Sequence, residues 1–169
     1  MTYMPSSTSN QTAANVASLT ILHNSSTDIA ISAGSVVPLG SSIQSHGSDS
    51  YTVSSGVITL PIGSSYLVRA ALASYGPTVT GDQITYQLYN TGGSAYVGRR
   101  GNLVWQESPK LNGGDEYAIA LIDALSSSQT IDCRVLTTSS AGFVMDPSGA
   151  THAQYTYAGR TRIEIWRFS

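Results

Sequence analysis

The feature that most constrains the fold is the strict alternation of apolar and polar residues in short segments bounded by turn-forming residues. In the clearest segment, Ile84, Tyr86 and Leu88 alternate with Thr85, Gln87 and Tyr89, and Asn90-Thr91-Gly92-Gly93 follows. A period of two places alternate side chains on opposite faces of a β-strand. Several such segments at close spacing, separated by turn residues, predict an all-β sandwich or barrel.

The same pattern recurs from residue 19 to the end of the chain. We predict strands at 19–22, 29–31, 35–39, 57–60, 66–72, 84–89, 103–105, 131–135 and 162–168. In the segment 66–72, Tyr66, Val68, Ala70 and Leu72 share one face. The closing segment places Ile163 and Ile165 on one face, and we expect it to be an interior strand.

The segment 115–125 fits two descriptions. Asp115 and Glu116 would complement the N-terminus of a helix, and the Ala and Leu content of the segment favours a helix. Periodicity does not separate a buried strand from a buried helix here. We predict a strand, because Asn112-Gly113-Gly114 and Ser126-Ser127-Ser128 enclose a run short enough for one.

Composition restricts the class of protein. Charged residues make up only 11% of the 169 residues, against about 25% in ordinary soluble domains, so Ser, Thr, Gly and Asn must cover much of the surface. A net charge of −2 supplies no broad positive field, and we expect no nucleic-acid partner. The single cysteine, Cys133, is expected to be a buried apolar residue between Ile131 and Val135.

The first 17 residues form a separate segment. They are polar and uncharged, with a few larger side chains at Met1, Tyr3, Met4 and Pro5, and no charged residue occurs before Asp28. We interpret residues 1–17 as an extended arm and residues 18–169 as the folded domain. The alternative is a disordered terminus, which is the commoner fate of such segments.

Targeting and membrane segments are not expected. The N-terminus has neither the basic region nor the apolar region of a secretory signal. The longest clearly apolar run, residues 117–122, is far shorter than the roughly 20 residues of a membrane-spanning helix. We therefore expect synthesis in the cytoplasm and no membrane partner.

Catalytic and metal-binding patterns are weak. His23, His46 and His152 lie far apart, so we expect no metal site, and no serine lies in a G-x-S-x-G motif. Asp115-Glu116 and Asp123 are a candidate carboxylate pair, but acids beside Gly113-Gly114 more often belong to a solvated loop. No glycine-rich loop suggests a phosphate site. We expect no catalytic residues and no cofactor.

Ten tyrosines, against two Phe and two Trp, are the more informative signal. Tyrosine combines a large apolar ring with a hydroxyl and is favoured at interfaces. We expect Tyr66, Tyr86 and Tyr117 to fill the core. Four tyrosines beside predicted turns are candidates for an interface: Tyr89, Tyr96, Tyr155 and Tyr157.

Ile58-Thr59-Leu60-Pro61 with Gly63, Tyr66, Arg69 and Ala70 comes first in a series of short motifs. The motifs that follow are Leu88-Tyr89-Asn90, Tyr96-Val97-Gly98, Gly142-Phe143 and Thr161 to Trp166. In this order they resemble the C1q/TNF-like domain of bacteriophage structural proteins. The resemblance covers about residues 56–166, with a weaker fit over 19–55. It implies a two-sheet jelly-roll sandwich that assembles as a homotrimer.

The resemblance and the arm together lead to an expected function. We expect a virion structural protein of the capsid-decoration or head-fibre type, located on the virion surface. Its arm, including Met1, Thr2, Tyr3, Met4 and Pro5, would bind the major capsid protein or another virion protein. The alternative is the receptor-binding tip of a tail fibre or spike, with a host glycan or receptor as partner. A glycan-active enzyme is a third, less favoured reading.

Overall fold

The computed structural model describes residues 18–22, 29–30, 32–39, 42–45, 51–72, 74–75, 83–104, 116–139, 144–145 and 161–168. Every regular element in these ranges is a β-strand. The predicted arm at residues 1–17 lies outside them.

The described ranges contain thirteen strands. They are β1 (Ser18–Leu22), β2 (Ile29–Ala30), β3 (Ser42–Ser45), β4 (Thr52–Ser54), β5 (Val57–Leu60), β6 (Ser65–Ala71), β7 (Ser74–Tyr75), β8 (Gln83–Asn90), β9 (Ala95–Val104), β10 (Ala118–Asp123), β11 (Gln129–Thr138), β12 (Val144–Met145) and β13 (Arg162–Phe168).

Ten of these strands form one antiparallel sheet in the order β3-β1-β13-β6-β10-β9-β8-β11-β5-β4. The short strands β2, β12 and β7 form a second, three-stranded sheet. The closing strand β13 lies between β1 and β6, so its predicted interior position is confirmed. The first and last described strands of the chain therefore pair with each other.

The large sheet curls around one apolar core. The core receives Val68 and Ile165 from one half of the sheet and Ile58 and Leu88 from the other half, all of them fully buried. From Ser65 to Ala70 in β6 the burial alternates residue by residue, as the sequence predicts. Both halves bury apolar side chains in this one cluster, and the hydrophobic effect is therefore the main contribution that holds the halves together.

The two halves meet through β9 and β10. These strands share a single residue pair in the ladder, Ile119 with Arg99, whereas β9 pairs with β8 along most of its length. Gly98 has a φ of +70°, and a Cβ atom there would lie 2.5 Å from the Cβ of Ala120. The crossing therefore requires glycine at this position.

Most predicted strands are confirmed, including the strand reading of 115–125, where β10 alternates buried Ala118, Ala120 and Ile122 with more exposed residues. The sequence predicts two short segments at 96–98 and 103–105, whereas the structure has the single strand β9. The glycines at 98 and 101 interrupt the apolar pattern but permit close approach of the backbone. A Cβ at Gly101 would lie 2.5 Å from the ring of Tyr86.

Two predictions about elements are wrong. Residues 35–39 are irregular, and only Val36 forms a bridge, to Arg134, although Val37 and Leu39 enter the core. Tyr117 is not in the core; it is half-buried on the outside of the sheet. The strand begins at Ala118, and inward-facing positions alternate from that residue, so Tyr117 falls on the other face.

The hairpin of β4 and β5 was not predicted, although its turn is in the sequence. Ser54 pairs with Val57, so the loop consists of Ser55 and Gly56, both with positive φ. A two-residue loop with both central φ values positive matches the twist of a hairpin. The polar residues of β4 concealed the strand, because it lies at the edge of the sheet and is mostly exposed.

Candidate functional site

The outer face of β6, β10 and β13 carries large apolar side chains in register. Leu67 pairs with Leu121 on one side and with Trp166 on the other. Leu121 is 70% exposed and Phe168, at the end of β13, is 42% exposed. We call this surface the leucine face and define it by Leu67, Ile119, Leu121, Trp166 and Phe168 with Arg69. An exposed apolar surface of this kind is typical of an interaction site.

Charges on the leucine face are paired with one another. The Nε of Arg69 donates to Oε2 of Glu164 at 2.6 Å, and the Nε of Arg162 donates to Oε1 of the same carboxylate at 3.0 Å. The Arg69 guanidinium lies 4.3 Å from the ring centre of Tyr117 and 5.2 Å from that of Trp166. These contacts hold long side chains flat along the sheet and leave its apolar groups available.

Two further exposed apolar residues lie at one end of this half of the sheet. Gly63 donates to the carbonyl of Ala124, and Ala124 donates to the carbonyl of Ser64, so the turns at 61–64 and 124–128 run side by side. Ile62 and Leu125, which flank these bonds, are both largely exposed. The turns therefore present apolar side chains at the same end as Phe168, which pairs with Ser65.

The opposite outer face, on β8, β9 and β11, is polar and aromatic. Tyr89 pairs with Tyr96 on one side and with Asp132 on the other. The two tyrosine rings meet edge to face, with 5.0 Å between their centres. We call this surface the tyrosine face and define it by Gln87, Tyr89, Tyr96, Arg100, Asp132 and Arg134.

A buried carboxylate fixes the arginine of this face. Asp132 has a side chain only 1% exposed, and it accepts hydrogen bonds from Nε and Nη2 of Arg134, each at 2.9 Å. The guanidinium carbon of Arg134 lies 3.6 Å from the ring centre of Tyr89. The bonds to Asp132 raise the pKa of Arg134 above its ordinary value, so its charge is held at any physiological pH.

Gln87 occupies an irregularity in the ladder of β8 and β9. The pairing register shifts between Tyr86 and Leu88, and the Gln87 amide donates to the carbonyl of Gly98 at 2.7 Å. Its Oε1 accepts from Nε of Arg100 at 3.4 Å. Arg100 and Arg134 therefore lie on either side of Gln87, on three adjacent strands.

The buried titratable groups of the core stay protonated and unreactive near neutral pH. Burial raises the pKa of the Cys133 thiol and of the Tyr86 hydroxyl far above their ordinary values. The thiol therefore stays protonated near neutral pH, and the thiolate is the reactive form of cysteine. The predicted burial of Cys133 is confirmed.

The predicted interface residues have different outcomes. The structure brings Tyr89 and Tyr96 into contact on one face. Tyr155 and Tyr157, and the arm residues Met1, Thr2, Tyr3, Met4 and Pro5, lie outside the described residues. Tyr66 and Tyr86 are in the core as predicted.

Neither the leucine face nor the pair of Asp132 and Arg134 was predicted from the sequence. A signal for the first was present, because residues 66–70 and 117–122 carry apolar side chains on both faces of the strand. Fully two-sided apolar strands indicate either burial on both sides or an interface. Asp132 and Arg134 follow the period of two, which places them on one face, but the burial of Asp132 depends on the neighbouring strand.

The two candidate carboxylates in the described ranges, Glu116 and Asp123, are not brought together, and Asp115 lies outside the described residues. Glu116 precedes β10 and Asp123 ends it, and both are exposed. Among the described residues, no three His, Cys, Asp or Glu side chains are grouped closely enough to hold a metal ion. The described part of the chain also contains no helix long and apolar enough to span a membrane.

Comparisons with known proteins give a likeness in fold. No family model matches the chain, and no curated protein matches it in sequence. Among solved structures, it is similar to one described as Eiger TNF from S. frugiperda, with a TM-score of 0.58 at 11% identity. The similarity covers 92% of this chain and 94% of that one. At this identity the likeness concerns the fold alone: the chain has an all-β, antiparallel, C1q/TNF-like fold.

Proposed function

We propose that this protein is a non-catalytic structural component of a virus particle that assembles as a homotrimer through its leucine face. The observation that carries the proposal is the row of Leu121, Leu67 and Trp166 across three neighbouring strands, in which Leu121 is exposed and the other two are half-buried. Apolar side chains in register on the outside of a sheet gain free energy when a second copy of the same surface removes them from water.

The paired charges of the leucine face favour self-association over a charged partner. Glu164 accepts from both Arg69 and Arg162, so each charged group has a hydrogen-bonded partner within one subunit, with one positive charge in excess. Burial between subunits would then leave none of these groups without a charged partner, and an unpartnered buried charge is the main cost of such an interface. The resemblance in sequence supports a three-fold assembly, with the two halves of the curled sheet as the layers of a jelly-roll sandwich.

Attachment to the particle is assigned to the arm, residues 1–17. Its lack of charge suits binding through backbone hydrogen bonds and small apolar contacts to a capsid protein. Strand β1 begins at Ser18 and lies between β3 and β13, so the arm joins the domain in the half of the sheet that carries the leucine face. The proposed location is the virion surface.

The test of assembly compares two acidic substitutions on opposite faces. Light scattering on the purified protein at micromolar concentration is expected to give three times the chain mass of 17.7 kDa. Leu121→Asp is expected to give the mass of one chain with an unchanged circular dichroism spectrum. Tyr96→Asp, at an exposed strand position of the tyrosine face, is expected to keep the trimer. A monomeric wild type, or a trimeric Leu121→Asp, contradicts the proposal.

The test of attachment is deletion of residues 2–17. The truncated protein is expected to keep its mass in light scattering and to lose binding to particles stripped of the native protein. Binding equal to that of the full chain would refute the role of the arm.

The tyrosine face favours a second candidate, the receptor-binding tip of a tail fibre or spike. Tyr96 stays 45% exposed beside fixed polar groups, as a recognition surface requires. Binding of the labelled trimer to host cells, unaffected by removal of the arm, would favour this candidate over capsid decoration.

A further inference from the structure

We infer that the tyrosine face binds an acidic glycan, with a saccharide carboxylate between Arg100 and Arg134 and a sugar ring against Tyr96. This inference goes beyond the proposed assembly, because it concerns the outer surface of the other half of the sheet and holds for a decoration protein and for a receptor-binding tip alike.

The chemistry of the tyrosine face differs from that of the leucine face. Of the large hydrophobic side chains that are exposed in the described ranges, only Tyr96 belongs to the tyrosine face. Its other members offer a guanidinium, an amide or a phenol, apart from Asp132, whose carboxylate is buried and bonded to Arg134. A surface with one exposed ring among many hydrogen-bonding groups suits a hydroxyl-rich ligand better than an apolar protein surface.

The position of Arg134 is fixed before any ligand arrives. Two of its nitrogens are bonded to Asp132 and its plane lies over Tyr89. Its side chain is nevertheless 27% exposed, and among the described residues its Nη1 has no hydrogen-bond partner. A guanidinium held in this way loses little rotamer entropy when its free edge binds an anion.

Arg100 supplies the positive charge that Asp132 does not neutralise. It is exposed, and within the described part of the chain it makes no ion pair; its one bond is the long contact of Nε to Gln87. Arg100 and Arg134 lie on strands separated by β8 alone, so their Cα atoms are about 10 Å apart, two strand spacings. The side chain of Arg100 is long enough to reach across Gln87 toward the free edge of Arg134, so one carboxylate can contact both guanidinium groups.

Tyr96 provides the apolar contact that a pyranose ring requires. Its ring is supported from the side by Tyr89, at 72° between the ring planes, and keeps part of its surface exposed. Tyr96 lies one row along the sheet from the irregularity that Gln87 occupies, so an acidic saccharide can reach both. Few other apolar groups are available on this face, which argues against an acidic peptide as the ligand.

The neighbouring arginine provides a matched control. Arg99 is also exposed, but it pairs in register with Ile119 of β10, and among the described residues it makes no hydrogen bond to Gln87. Arg99→Gln and Arg100→Gln each remove one positive charge, at neighbouring positions of the same strand. A nonspecific electrostatic effect would treat them alike, whereas a site on the tyrosine face depends on Arg100 only.

The experiment measures binding of the full chain to immobilised oligosaccharides of galacturonate, glucuronate and sialate. Galactose oligosaccharides serve as the neutral match and triglutamate as the acidic peptide. At least one acidic oligosaccharide is expected to bind, with affinity reduced tenfold or more by Arg100→Gln and by Tyr96→Ala and unchanged by Arg99→Gln. Light scattering and circular dichroism establish that each variant is assembled and folded.

Four results would overturn the inference: no binding of any acidic oligosaccharide, equal binding of the neutral ones, equal losses in Arg99→Gln and Arg100→Gln, or stronger binding of triglutamate. The last would assign the face to an acidic protein segment. Because assembly is measured separately through Leu121→Asp, failure of the glycan site is distinguishable from failure of the trimer.

Discussion

At the scale of the residue, Asp132 shows how one buried charge organises a surface. Its carboxylate is removed from water on the outer side of β11, and both of its oxygens accept hydrogen bonds from Arg134. A buried charge is tolerated only when it is paired and hydrogen-bonded. The aromatic ring of Tyr89 then covers the arginine, so one aspartate determines the position of two neighbours.

We expect Asp132→Asn to lower the free energy of unfolding by about 2 kcal/mol, because the substitution leaves Arg134 without its counter-charge. The partial exposure of Arg134 keeps the cost below that of a fully buried pair. Urea unfolding at pH 7 checks the value, with Asp123→Asn, at an exposed strand end, as the control. Equal changes in the two variants would contradict this account of Asp132.

The buried thiol of Cys133 makes the free energy of unfolding depend on pH in the alkaline range. The pKa of Cys133 is raised in the folded protein, so the unfolded chain loses this proton first. Its contribution is complete below the ordinary thiol pKa of about 8.5 and is lost as the pH rises toward the folded value. We expect the free energy of unfolding to fall from pH 8.5 to 10.5 by up to about 1.4 kcal/mol per pH unit for this group.

The matched variant for the alkaline effect is Cys133→Ala, in which the decline over the same pH range is expected to be shallower, whatever its stability at pH 7. Urea unfolding at intervals of half a pH unit measures both slopes. Parallel declines in the two proteins would show that Cys133 does not titrate as described.

At the scale of the element, β9 connects the two halves of the large sheet. It pairs with β8 and touches β10, so its backbone must approach both neighbours closely. Gly98 and Gly101 permit that approach, because a side chain at either position would overlap β10 or the ring of Tyr86. The glycines that interrupt the apolar pattern of the sequence thus make one continuous strand possible.

We expect Gly98→Ala to destabilise the protein by at least about 2 kcal/mol more than Gly63→Ala. Both glycines have positive φ, so backbone strain of roughly 1 kcal/mol is common to both variants. Only Gly98 has atoms in the way of a Cβ, since nothing lies within 4 Å at Gly63. Thermal or urea unfolding measures the difference, and similar values in the two variants would refute the role of Gly98 in the crossing.

At the scale of the whole molecule, one core joins strands that are distant in sequence. Ile58, Val68, Leu88 and Ile165 meet in a single cluster, and the first strand pairs with the last. Neither half of the sheet can bury its apolar face alone. The domain is therefore expected to unfold as one unit, and to refold slowly because its pairings are mostly non-local.

Unfolding in urea is expected to give one transition, with coincident curves from far-ultraviolet circular dichroism and tryptophan fluorescence. The midpoint is expected to rise with protein concentration in the wild type, because association stabilises the folded chain, and not in Leu121→Asp. Two separate transitions would show that the halves are independent. A midpoint independent of concentration in the wild type would argue against assembly.

The sequence by itself determined the class of fold and the inward face of most strands. The alternation at 84–89 and 66–72 is local, since a period of two follows from strand geometry, and the structure confirms it. The burial of Cys133 and Ile165 followed from the same pattern. Resemblance to C1q/TNF-like domains agreed with the observed likeness in fold.

Only the tertiary structure decided which outward-facing residues meet. Leu67, Leu121 and Trp166 come from three strands far apart in the chain, and their alignment depends on strand order and register. The same holds for Tyr89, Tyr96 and Asp132 on the opposite face. The local sequence pattern specifies on which face of the sheet a side chain lies, whereas long-range strand pairing specifies which side chains lie beside it. Both proposed binding surfaces consist of residues that only strand pairing brings side by side.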